Sequence, residues 1–151
     1  MDTVRRPATM RLFRALVIVT LVLLAGQGWF GDTVNIFVTP ANGTAAPPAT
    51  PSGLLHAMAS LPTPLFLIWH AFQGLALVLL ALVVAVLSFA WSGRRGVRAW
   101  SVIGLVSVLS AALGGYLFVR SGFSDGGSSA QMGGSFIASF ASYFLVLYHT
   151  K

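Results

Sequence analysis

PLFLIWHAFQGLALVLLALVVAVLSFAW, residues 64–91, runs through its whole length without a charged side chain. A helix needs about 20 predominantly apolar residues to cross a hydrocarbon core of about 30 Å, so this stretch is long enough to span a bilayer. Three more apolar runs stand on either side of it, roughly Leu12–Phe30, Val97–Val119 and Gln131–Tyr148. None shows the period-2 alternation of barrel strands, and backbone amides in lipid must bond within their own segment, so each reads as helix. The expected fold is all-α: one four-helix transmembrane bundle occupying residues 1–151, with helices near 12–30, 64–91, 97–119 and 131–148 and external loops at 31–63 and 120–130.

Composition agrees with that reading: 56% of residues are hydrophobic and 8% charged. The net charge of +6 would point to nucleic acid if the cations formed one face with polar or aromatic readers, but they sort by loop instead. Arg5, Arg6, Arg11 and Arg14 precede the first run, Arg94, Arg95 and Arg98 join the second to the third, and Lys151 follows the fourth. The other connections carry Arg120 against Asp32 and Asp125. By the positive-inside rule both termini are expected to be cytoplasmic, in a multi-pass protein of a prokaryotic plasma membrane, with the lipid bilayer as its first partner and no nucleic acid. The first run exceeds the usual 7–15 residue core of a cleaved signal, so it is expected to stay as a helix. There is no cysteine, which excludes disulfides, thiolate catalysis and iron–sulfur ligation.

The connection TPANGTAAPPATPSG (39–53) is too rich in proline to continue a helix, and LLHAMASLP (54–62) reads as a short interfacial helix before the second span. SGFSDGGSS (121–129) reads as a flexible external loop. Small residues recur at helical spacing in the last two spans (Gly104, Ser107, Ala111, Gly114; Gly134, Ala138, Ala141), the usual device for close helix approach in lipid.

His70 is the residue that composition does not explain. It falls about 9 Å into the second span at 1.5 Å per residue, in the outer leaflet. Gly26, Gln27, Gly28, Gly74, Gly114, Gly115, Met132, Gly133 and Gly134 are expected at a similar level. An intramembrane imidazole is a functional candidate, and neutral histidine is a common haem ligand. The expected site is a b-type haem held by His70, with Gly74, Gly114, Gly115 and Gly133 making room for the ring and Met132 as the second metal ligand. The same imidazole could instead bond another helix, relay protons or contact a quinone. His149 stands about 26 Å from the level of Met132 and cannot serve that iron; His56 belongs to the external segment.

WHAFQGLALVLLA, SVLSAALGGYLFVRSG and AQMGGSFIASF together resemble one half of the heme A synthase family, and QGWFGDTVNIFVTP (27–40) resembles small four-helix membrane proteins related to it. The resemblance implies a four-helix bundle with a haem-binding histidine near the outer end of the second and fourth helices. His70 matches the former, and Met132 stands near the place of the latter. It also sets limits. The family's catalytic glutamate, three residues before the second-helix histidine, is replaced here by Leu67, and the external cysteine pair is missing. Electron transfer or haem handling, with a membrane redox partner or a second copy, is therefore expected rather than haem-methyl oxidation. The competing expectation is a non-catalytic membrane subunit or assembly factor that packs through its small-residue faces. A transporter is disfavoured because the spans hold no charge pair and no broken helix.

Overall fold

A computed structural model describes residues 7–37, 50, 52–53, 56, 59 and 64–151. They contain four long helices: α1 (Pro7–Phe37), α2 (Pro64–Trp91), α3 (Arg95–Arg120) and α4 (Gly126–His149), and no strand among the described residues. All four are long and apolar enough to cross a membrane. Most of segment 39–62, including the expected interfacial helix, lies outside the described residues.

Helices adjacent in the chain pack side by side where described (α1–α2, α2–α3, α3–α4), and α1 closes the ring against α4. The two diagonals do not touch. The interior mixes apolar side chains (Phe13, Val17, Leu24, Leu77, Val84, Val97, Val108, Tyr143, Val146) with small hydroxyl residues. Thr20, Ser88, Ser139 and Ser142 are buried, and each donates to a carbonyl of its own preceding turn at 2.7–2.8 Å. Small side chains satisfied locally let backbones approach without leaving a polar group unpaired. Large apolar residues face outward instead, among them Val22, Leu75, Val86, Val106, Ile137 and Phe144. So much contiguous apolar surface calls for an apolar solvent.

The connection at 120–130 is tighter than the sequence suggests. Residues 126–130 belong to α4, which leaves only 121–125 as the turn. Asp125 is the reason: its Oδ1 accepts the Gly127 amide at 3.0 Å and its Oδ2 accepts the Ser128 hydroxyl, so the glycines and serines that follow have a helix start to join. Gly122 and Phe123 both take left-handed backbone (φ 68° and 64°), a conformation costly for phenylalanine. Its ring is buried edge-on to Phe118 and against Leu67, which offsets that cost. At the other end Arg98 Nε donates to the Ser92 carbonyl at 2.8 Å, closing the carbonyl end of α2.

Candidate functional site

The polar residues of α1 and α2 meet in a reciprocal clasp. Gln27 Nε2 on α1 donates to the main-chain carbonyl of His70 on α2 at 3.0 Å. In the opposite direction, Gln73 Nε2 on α2 donates to the carbonyl of Leu23 on α1 at 2.9 Å. Each glutamine lies over a glycine of the facing helix: a Cβ at Gly74 would stand 3.3 Å from Gln27 Nε2, and one at Gly26 would stand 3.0 Å from Gln73 Nε2. The two amides therefore need those two missing side chains. AGQG and FQG are matching halves of one contact.

His70 is attached to this clasp. Gln27 Nε2 also reaches His70 Nε2 at 3.2 Å. An amide nitrogen only donates, so in this arrangement that ring nitrogen accepts and the ring proton resides on Nδ1. Nδ1 is buried without a hydrogen-bond partner, and so is Gln27 Oε1. On its other side the ring approaches Gly31, where a Cβ would be 3.3 Å from Cε1.

The remaining expected site residues lie across the bundle on α3 and α4. Phe136 of α4 fills the space over Gly28, with its ring 2.7 Å from where a Cβ would stand. Met132 is one turn further along α4, as Gly31 is one turn further along α1 from Gln27. His70 and Met132 stand on diagonal helices, α2 and α4. Gly114 of α3 abuts the main chain of α4, and Gly115 faces Met132 Sδ, 3.5 Å from its would-be Cβ. A Cβ at Gly133 or Gly134 would meet nothing within 4 Å, and both glycines are exposed.

This geometry corrects the expected role of the glycines. Gly28, Gly74 and Gly114 are filled by protein atoms and serve close packing; they do not line a slot for a flat ring. A neutral imidazole and a thioether are donor types that haem iron takes, but the ring nitrogen left unpartnered here, Nδ1, is the one that carries the proton. No cluster of three or more His, Cys, Asp or Glu able to hold a metal exists among the described residues. His149 is at the opposite end, its ring over Gly96, and His56 is exposed. Gln73 carries half of the clasp and was not singled out from the sequence, although the mirrored order GQ (26–27) and QG (73–74) in facing helices is the signal that marks it.

Fold and site together define a four-helix bundle of membrane-spanning length with a histidine–glutamine clasp near one end. No family model, curated protein or solved structure matches the chain.

Proposed function

We propose that this is a multi-pass protein of a prokaryotic plasma membrane, with its basic end cytoplasmic, that binds b-type haem through His70 near the outer surface and serves electron transfer or haem handling. Supporting the membrane reading are the outward apolar residues and the exposed Trp29 and Trp69 beside the clasp, placed as interfacial anchors are. The observation that carries the haem reading is the buried, unpartnered Nδ1 of the half-buried His70 imidazole. Leaving such a group unpaired costs roughly 1–3 kcal/mol, which a ligand can recover. His70 would hold the iron and Met132 is the candidate second ligand; bound haem supplies a one-electron couple whose potential an axial methionine raises. To ligate iron, His70 must either shift its ring proton from Nδ1 to Nε2 and present Nδ1, or present Nε2 itself; both give up the bond that Nε2 accepts from Gln27, while the Gln27 bond to the His70 carbonyl can stay. Purified protein from haem-supplied cells is expected to show a Soret band that His70→Ala abolishes. A colourless wild-type preparation would refute the haem reading.

A second reading, a non-catalytic subunit, is favoured by Ala130, Gly134, Ala138 and Ala141, which share one exposed face of α4. Under it His70 is purely a helix-binding residue: the wild type is colourless, and Gly134→Leu abolishes co-purification of a partner.

A further inference from the structure

The end of the bundle opposite the clasp contains an open cavity of about 360 Å³ where three segments converge. The start of α1 contributes Met10, Arg11 and Arg14, the α2–α3 turn contributes Ser92 and Arg94, and the end of α4 contributes Thr150 and Lys151. Several of these polar groups are already engaged. Arg94 Nη1 donates to the carbonyls of His149 and Lys151, Thr150 Oγ1 donates to Leu147, and Lys151 Nζ lies 5.7 Å over the Tyr148 ring. Arg11 and Arg14 are exposed and three residues apart, so they are neighbours on one helix face. The described acidic residues, Asp32 in the last turns of α1 and Asp125 at the start of α4, both belong to the other end. The cavity therefore gathers cations with no described Asp or Glu at its end of the bundle, and Arg94 is occupied by the main-chain oxygens of His149 and Lys151.

Below the arginines the same face of α1 continues as Ile18 and Val22, 47% and 65% exposed. A fork of guanidinium donors above an apolar track matches a phosphate headgroup above its acyl chain; a free anion has no use for the track. We propose that this cavity binds the phosphodiester of an anionic phospholipid, with Arg11 and Arg14 on the phosphate and Ile18 and Val22 along the chain. The inference rests on the membrane reading and is independent of haem.

The test uses the full chain in neutral detergent, titrated with phosphatidylglycerol, phosphatidylcholine or inorganic phosphate and followed by native mass spectrometry and thermal unfolding. Phosphatidylglycerol is expected to be retained and to raise the unfolding midpoint, and phosphatidylcholine is not. Two basic residues near an anionic lipid account for roughly thirtyfold in affinity, so Arg11→Gln/Arg14→Gln should weaken retention by about that factor. Arg95→Gln, an exposed cation outside the cavity, should leave it within about twofold, the scale of a screened rim charge. Arg11→Lys/Arg14→Lys, which keeps the charge and loses the fork, should bind between the wild type and the Gln double variant, and a lipid-free unfolding midpoint of the Gln double variant equal to the wild type's shows that it folds. Equal retention of the two lipids, equal loss in Arg95→Gln, or protection by phosphate without protection by phosphatidylglycerol would each overturn the proposal. A colourless protein that retains phosphatidylglycerol would reject haem and leave this site standing.

Discussion

Gly114 and Gly115 are neighbours in the chain, yet alanine should have opposite effects at the two positions. A methyl group at 114 would stand 3.0 Å from the Ser128 carbonyl oxygen and 3.1 Å from the Met132 amide nitrogen. Both are main-chain atoms of α4, so no side chain can swing aside; α3 and α4 must separate by a few tenths of an ångström along their best-packed seam. Overpacking of this kind costs about 1–3 kcal/mol, and the better helix propensity of alanine returns about 1 kcal/mol. Gly114→Ala should therefore lose up to about 2 kcal/mol. At 115 the nearest atom is Met132 Sδ at 3.5 Å, an ordinary contact with a flexible thioether. Gly115→Ala should keep the propensity gain of up to about 1 kcal/mol, and since that gain is common to both, the gap between the two variants is the overpacking cost of about 1–3 kcal/mol. Equilibrium unfolding in mixed micelles, titrated with a denaturing detergent, measures it. Equal midpoints for the two alanine variants would refute the claim that these backbones are in contact.

Three further outcomes follow from single contacts. Gln73→Ala removes the bond to the Leu23 carbonyl and should cost about 0.6–1.7 kcal/mol by the same unfolding assay, the range for helix–helix hydrogen bonds in membranes; no loss would dissolve the clasp. The Tyr143 hydroxyl is buried without a partner, so Tyr143→Phe should be neutral or stabilising by about 1 kcal/mol, and a clear loss would reveal a bonded partner. The Ser128 hydroxyl, with help from the Gly127 and Ser128 amides, holds the Asp125 carboxyl below its ordinary value of 3.8. A lowered folded-state pKa contributes stability above 3.8 that is lost as pH falls through the folded value. The start of α4 should thus fray only in that acidic window, seen as faster amide exchange at Gly127–Ser129, and Asp125→Asn should remove the pH dependence.

The helices were legible because lipid imposes so simple a rule on composition, and 64–91 obeys it throughout. The start of α4 was not, since glycine and serine at 126–129 read as loop until Asp125 is seen to cap them. Depth along a helix transferred in one respect: counting residues separates His149, whose ring lies over Gly96, from His70, whose ring lies by Gly31. What counting cannot supply is azimuth. Whether a glycine at the right depth faces a cavity or a neighbour depends on helix rotation, and at 28, 74 and 114 it faces a neighbour. Gln73 was missed for the same reason, because its value lies in what stands opposite.

The clasp also divides the bundle into halves. Gln27 and Gln73 tie α1 to α2, while Ser110 accepts from Gln131 and Ser135 and ties α3 to α4. Between these pairs, the described polar bonds lie at the basic end, where Arg98 of α3 donates to the Ser92 and Phe89 carbonyls; toward the clasp the described contacts are apolar, such as Phe136 on Gly28. Polar bonds come in registers one helical turn apart, and a slip of that size would strand both amides in oil; apolar seams have no such detents and can slide by fractions of a turn. Any working motion of this protein should therefore be a shear of two rigid hairpins past each other, with α1–α2 moving as one piece.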